Sequence, residues 1–293
     1  MNVPFRLVDV FTSRPLSGNQ LCVVPEPIDV DEETMQALAK EIGFSETTFV
    51  TEAAGDRYAM RIFTPGQELP FAGHPTLGTA FVLVSEGRVS TPATQVIAAG
   101  EIPIEVDVEA KTAWMTQLPA EFRPIFPDRD LIASAIGLTT EELDPGRPVQ
   151  TVSTGLPTTI VPVRDLETIR RATRNERLVG EAVAASGGQD LYLFAFTAEG
   201  VTARMFDSEF GIGEDPATGS AAGPLGAYLA EYGGLGKTWS VTIRQGEQVG
   251  RASELQVEVD REGGLWPGDR SSGAWRVRVG GGVHIVGRGT FEL

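Results

Sequence analysis

FAGHPTLGTAFVLVSEG, residues 71–87, and EDPATGSAAGPLGAYLAEYGG, residues 214–234, follow one plan. In each, a glycine and a polar residue, Gly73-His74 or Gly219-Ser220, precede a run of small and apolar side chains. A run that is apolar all round suits a buried helix rather than a surface one. Pro75 falls in the first turn of such a helix, where its missing N–H costs nothing. The two runs close at the same interval, in Ser85-Glu86-Gly87 and Glu231-Tyr232-Gly233. Just upstream, RIFTP (61–65) matches RMFDS (204–208). Agreement in the order of elements points to a duplication. The fold expected is α+β: two pseudo-symmetric halves, each a twisted, mostly antiparallel, barrel-like sheet around one central helix.

The flanking segments supply the strands. Phe5–Phe11 and Leu21–Val24 read as a strand pair, followed by a helix with Met35, Leu38, Ala39 and Ile42 on one face. Asp29, three residues before Glu32, is the expected cap, and Gly43 the expected stop. Ser45-Glu46 then opens the strand-like run Thr47-Thr48-Phe49-Val50. Tyr58–Phe63 and strands over about 94–118 complete the first half. The Pro-rich stretch 119–130 leads to Val152–Val163, a helical segment to about Ala185, and strands Leu191–Phe196 and Thr202–Phe206. Gly280-Gly281-Gly282 lies between two strand runs. The expected halves are 1–118 plus 283–293, with the helix from His74, and 119–282, with the helix from Ser220.

Composition narrows the function. The chain has 293 residues, 41% hydrophobic and 22% charged, enough for two medium-sized cores. A net charge of -16 argues against nucleic acid and anionic membrane surfaces as partners. One cysteine, Cys22, allows no intrachain disulfide and no Cys-rich zinc site. Neither a signal peptide nor a membrane-spanning apolar run is present, so a cytoplasmic location is expected. In a duplicated fold of this kind the ligand site is expected between the halves, where two helix N-termini meet and attract an anion. A small carboxylate is the expected partner.

LSGNQLCVV, SETTFV, RIFTPGQELPFAGHPTLGT, EDPATGSAAGPL and the terminal GRGTFEL resemble the PhzF-like family, named for the phenazine-biosynthesis isomerase. The resemblance runs from the first strand to the last residue and implies the diaminopimelate-epimerase-like fold. It also implies cofactor-independent isomerisation of trans-2,3-dihydro-3-hydroxyanthranilate, and a homodimer. Within its motifs the catalytic glutamate falls on Glu46, and His74 and Asp215 fall on substrate contacts near the reacting carbons. Ser45, Gly73, Gly219 and Ser220 fall beside the substrate, while Asn19 supports a turn near the cleft. The chemistry suits these residues. A carbon acid in an activated diene needs one base that can take a proton and release it again. A carboxylate can do both if partial burial raises its pKa. For Asp215 the expected roles are orienting His74 or holding an amine or hydroxyl of the substrate. His284, the other histidine, sits in an alternating strand and reads as structural.

Other chemistries fit less well. A two-thiol racemase, which this fold also supports, needs a cysteine pair that the chain lacks. Ser220, His74 and Asp215 could form a hydrolase triad, but T-G-S-A-A-G is not a nucleophile elbow. No metal motif or dinucleotide fingerprint is present. The remaining alternatives are an isomerase or epimerase of another small acid, and a non-catalytic protein that binds a small ligand.

Overall fold

The computed structural model describes residues 1–98, 100–198, 200–207, 213–233, 238–260 and 275–293. Ser208 and Gly234, the last residues of two of the repeated segments, lie outside the described residues.

The first half runs β1 (Asn2–Val10), β2 (Asn19–Val24), α1 (Glu32–Ile42), β3 (Glu46–Ala54), β4 (Arg57–Phe63), β5 (Glu68–Leu69), α2 (Gly73–Ser85), β6 (Ala93–Ile97), β7 (Gly100–Asp107) and β8 (Thr112–Thr116). Then follow β9 (Glu121–Ile125), α3 (Arg129–Ala135), β10 (Gln150–Ser153), β11 (Pro157–Pro162), α4 (Leu166–Arg171) and α5 (Glu176–Ser186). The chain continues as β12 (Asp190–Thr197), β13 (Gly200–Asp207), β14 (Glu214–Asp215), α6 (Gly219–Tyr232), β15 (Thr238–Gln245), β16 (Ser253–Asp260) and β17 (Arg276–Glu292).

Strand pairing makes the duplication explicit. β1–β2 is antiparallel, β2–β3 parallel, β3–β4 antiparallel, β4–β6 parallel and β6–β7 antiparallel. The series β10–β11, β11–β12, β12–β13, β13–β15 and β15–β16 repeats those senses in that order. Among the described residues, β7–β8, β8–β17 and β17–β1 then close the first series into an 8-strand barrel. The second series curls in the same way from β9, on β10, round to β17, on β16. Its gap is bridged by the stretch ahead of β9, where Gln117 N–H donates to Val277 O at 3.0 Å and Leu118 N–H to Thr154 O at 3.2 Å.

One core serves both halves. Leu77, Phe81 and Leu83 of α2 and Leu225, Tyr228 and Leu229 of α6 belong to the same buried cluster. A helix inside a barrel has no solvent face, which explains why both sequences are apolar all round. Helix α1 lies outside its barrel, packing Met35 and Leu38 on Phe49 and Phe63. Helices α3, α4 and α5 cover the second barrel. β12 therefore has two apolar faces: Leu191 and Leu193 meet those outer helices, while Tyr192 and Phe194 meet the shared core.

Four expectations are corrected. The cap of α1 is Asp31, whose carboxylate accepts from Thr34 N–H at 2.9 Å; Asp29 stands too far ahead of the first turn. Gly43 does end the helix, at φ 68. Val152–Val163 is two strands, parted where Gly155 adopts φ 140. The Pro-rich stretch contains β9, an edge strand paired only with β10 among the described residues, where Pro124 is tolerated. Gly280–Gly282 does not separate two strands but lies within β17. A Cβ on Gly280 would sit 2.2 Å from the Trp114 ring, and one on Gly282 2.0 Å from Thr12 O. These glycines let β17 pass closely from β16 and β8 to β1. Among the described residues, no helix is long and apolar enough to cross a membrane.

Candidate active site

Helices α2 and α6 begin against each other. A Cβ on Gly73 would lie 2.5 Å from Ser220 N, and one on Gly219 would lie 3.3 Å from Gly73 Cα and 2.8 Å from the Phe11 ring. Both residues must be glycine for the two helix starts to approach this closely. Neither start has a side-chain cap among the described residues, so backbone N–H groups are left for a ligand. A narrow, partly open pocket lies over this joint. Glu46, Gly73, His74, Asp215, Gly219 and Ser220, all expected site residues, line it. Leu69, Ala72, Leu156 and Met205 give it apolar walls, and Gln189, Asp190 and Thr218 complete its polar lining.

Glu46 is the first residue of β3, where strand alternation turns it inward with Thr48, which bonds Thr79 of α2 at 2.9 Å. It is 8% exposed. His74 Nε2 lies 3.4 Å from Glu46 Oε2, yet that ring nitrogen hydrogen-bonds Gln20 O at 3.3 Å. Glu46 Oε2 consequently has no hydrogen-bond partner among the described residues.

Asn19 does more than support a turn. Its Nδ2 donates to Asp215 Oδ1 at 2.8 Å and to Ala217 O at 2.9 Å, and lies 3.2 Å from His74 Nδ1. With Nδ1 turned to this donor and Nε2 to a carbonyl, His74 carries its proton on Nε2. Asp215 thus does not hold His74 directly, because Asn19 stands between them. No hydrogen bond joins Ser220 to His74 among the described residues, so the triad geometry is not formed. Ser45 Oγ donates to Asp215 Oδ1 at 2.9 Å and Thr218 Oγ1 to Asp215 Oδ2 at 2.6 Å. Gln245, which sequence reading missed, fastens this loop by donating to Asp215 O at 2.7 Å and accepting from Thr218 N–H at 3.2 Å.

The electrostatics separate three roles. Burial lowers His74 to about 3, leaving it neutral at physiological pH. Burial raises Asp215 to about 6, with the hydroxyl and amide donors of Thr218, Ser45 and Asn19 opposing the rise. Burial, then the charges of Asp215 and Asp207, push Glu46 well above the usual carboxylate range. Of the pair, Asp215 ionises first and Glu46 keeps its proton to higher pH. An acid whose pKa approaches working pH can both give and take one. Cys22 is buried, its thiol pushed up to about 12, and is no nucleophile.

The Asn19 network has a measurable consequence. Asn19→Ala leaves Asp215 a donor short and strands Ala217 O in the interior. Denaturant unfolding is expected to show a loss of about 1–3 kcal/mol, the cost of orphaned buried groups.

The profile of the phenazine biosynthesis-like proteins, PhzC-PhzF, matches residues 8–287. The chain belongs to this family. Among curated relatives, trans-2,3-dihydro-3-hydroxyanthranilate isomerase of Pseudomonas fluorescens is 32% identical over 295 residues, covering 98% of each chain. An uncharacterised isomerase of Bacillus subtilis strain 168, YfhB, is 31% identical, covering 87% of this chain and 90% of its own. Among solved structures, a Pseudomonas aeruginosa protein described as a predicted epimerase superposes with a TM-score of 0.85 at 33% identity, over 99% of each chain. A proline racemase of Agrobacterium radiobacter K84, described as probable, superposes at 0.70 with 14% identity over 99% of this chain and 93% of its own, a likeness of fold alone. The PhzF-family chain described here is accordingly an isomerase of the epimerase-like fold.

Proposed function

We propose that this protein is a cofactor-independent isomerase in which Glu46 moves a proton between ring carbons of a small cyclic carboxylic acid. Trans-2,3-dihydro-3-hydroxyanthranilate or a close relative is the substrate that fits best. The observation carrying this reading is Glu46 itself: buried, its Oε2 unpartnered among the described residues, and set over two uncapped helix starts. In the ionised form Glu46 takes a carbon-bound proton; the C–H bond breaks, its electron pair enters the ring π system, and a Glu46 O–H bond forms. That O–H bond then breaks as a new C–H bond forms at another ring carbon, restoring the carboxylate. Neutral His74 and anionic Asp215 line the space that receives the substrate's polar groups. The backbone N–H groups at Gly73-His74 and Gly219-Ser220 receive its carboxylate. The likeness over 98% of both chains to the hydroxyanthranilate isomerase supports this substrate.

Incubation with trans-2,3-dihydro-3-hydroxyanthranilate tests the reading, because the ultraviolet spectrum changes as the conjugation moves. An unchanged spectrum at micromolar enzyme sinks this substrate and leaves the second reading, an isomerase or epimerase of another small acid, which the relatives' printed names also support. Ligand charge gives a further expected outcome. Asp215 already places a negative charge in the pocket, so a ring with one carboxylate, such as 3-hydroxyanthranilate, binds more tightly than a dicarboxylate of similar size. Calorimetry with both ligands checks this, and tighter binding of the dicarboxylate reverses the assigned charge logic.

A further inference from the structure

Asp190 occupies in the second half the place that Glu46 occupies in the first. Each is the opening residue of its half's third paired strand, β12 or β3, which runs parallel to the strand before it. Each is followed by an antiparallel return strand ending in the matched RMF or RIF segment. Strand alternation puts Asp190 on the face that carries Tyr192 and Phe194 into the shared core, and it lines the pocket together with Glu46.

Its surroundings do not explain it as a structural carboxylate. Other sequestered acids of this protein have strong partners. Asp9 meets Arg251 at 2.5 Å and Glu214 meets Arg204 at 2.7 Å. Asp215, without a cation, has three donors. Asp190 is 5% exposed, and its Oδ1 has no partner among the described residues. Its Oδ2 has only Thr158 Oγ1 at 3.5 Å, longer than an effective hydroxyl hydrogen bond. A buried carboxyl group with so little support is most stable uncharged. Burial, then the neighbouring charge of Asp207, raises it to about 8, in keeping with that geometry.

We propose that Asp190 is a further substrate-contacting residue, a neutral carboxylic acid that donates its O–H to the substrate oxygen on which negative charge gathers as a carbon-bound proton leaves. The inference rests on the isomerase reading above and deepens it. Glu46 acts from the first half on a C–H bond, and Asp190 acts from the second half on the oxygen conjugated to it. A neutral donor suits this task because a second fixed anion beside Asp215 would oppose the developing charge. It also suits a carboxylate in the ground state, so the group contributes to binding as well as to rate.

Binding of 3-hydroxyanthranilate, followed by calorimetry between pH 6.5 and pH 9, tests the proposal without depending on turnover. The ionisable groups around Asp190 are Glu46, His74, Tyr192, Asp207 and Asp215. His74 stays neutral throughout this range, and Tyr192 stays protonated because burial raises it well above 10.0. Asp215, at about 6, completes its ionisation at the acid end and contributes equally with and without Asp190. Glu46 is removed as a contributor by repeating the series in Glu46→Gln. In that background, affinity is expected to fall about tenfold from pH 6.5 to pH 9 as Asp190 loses its proton. Adding Asp190→Asn, which keeps a donor that cannot ionise, abolishes most of the fall and keeps affinity within a few fold at pH 6.5. Adding Asp190→Ala weakens binding at every pH. An unchanged pH dependence with Asp190→Asn, or full affinity with Asp190→Ala, overturns the role of Asp190 while leaving Glu46 untouched. Absence of binding to the unsubstituted protein overturns both readings together.

Discussion

Glu46→Gln lowers kcat by roughly 10²–10⁴-fold, the range of a lost general acid–base group, and leaves the fold intact. Glutamine has the same shape, and burial together with the charges of Asp215 and Asp207 already favours the neutral form of Glu46. The substitution therefore removes no ion pair and no made hydrogen bond at Oε2. Linkage gives a second readout. A carboxyl group raised in the folded state contributes stability that is fully present below its unfolded pKa. That stability is lost as pH rises through the folded value. Glutamine cannot ionise, so the melting temperature of the variant gains on that of the original protein as pH rises from about 4 toward alkaline values. Activity moves the other way in the unsubstituted protein: the proton-accepting form of Glu46 appears only as pH rises, which places the acidic limb of kcat/KM above the usual carboxylate range. Near-normal turnover by Glu46→Gln, or an acidic limb near pH 4, removes Glu46 from the role of proton carrier.

Gly73→Ala is the smallest change with a large effect on structure. Its new methyl carbon would lie 2.5 Å from Ser220 N and 2.6 Å from Gly219 C, both backbone atoms at the start of α6. No side chain can turn aside to relieve the overlap, so one helix must move along its barrel. Overpacking of this kind costs on the order of 1–3 kcal/mol, seen as a lower denaturation midpoint. Separating the helix starts also spreads the N–H groups that meet the ligand, and affinity for 3-hydroxyanthranilate is expected to fall at least tenfold. Gly219→Val meets the Phe11 ring as well and has the same effect on binding. Wild-type affinity in a folded Gly73→Ala protein shows that the anion is not held at this joint.

The parts of this site that sequence reading reached are those with a local signature. Two glycine-led apolar runs of the same length announce two enclosed helices, and the glycines mark their mutual approach. Glu46 stands out as a carboxylate opening an apolar strand. Asp190 does the same, but the repeat does not align at fixed spacing. Glu46 lies 17 positions before Phe63, and Asp190 lies 16 before Phe206. The additional residue is absorbed by a shift in strand register between Val50 and Glu52, which straight counting cannot anticipate. Gln245, and the part Asn19 plays beyond its turn, escaped for another reason. Each amide matters through partners far along the chain, at Asp215 and Ala217 for Asn19 and at Tyr192 for Gln245. Strand β9 was hidden by its proline, and β17 by three glycines that elsewhere would mark a turn.

Strand β17 belongs to both barrels: its first residues pair with β16 and β8 and its last with β1. During synthesis, then, neither half can be sealed when its own segments emerge. The first barrel waits for residues 283–292 to pair with Asn2–Val10, almost the whole chain away. Such distant closure makes for slow assembly. It also makes residues 283–292, at the very end of the chain, a structural requirement for the barrel that carries Glu46.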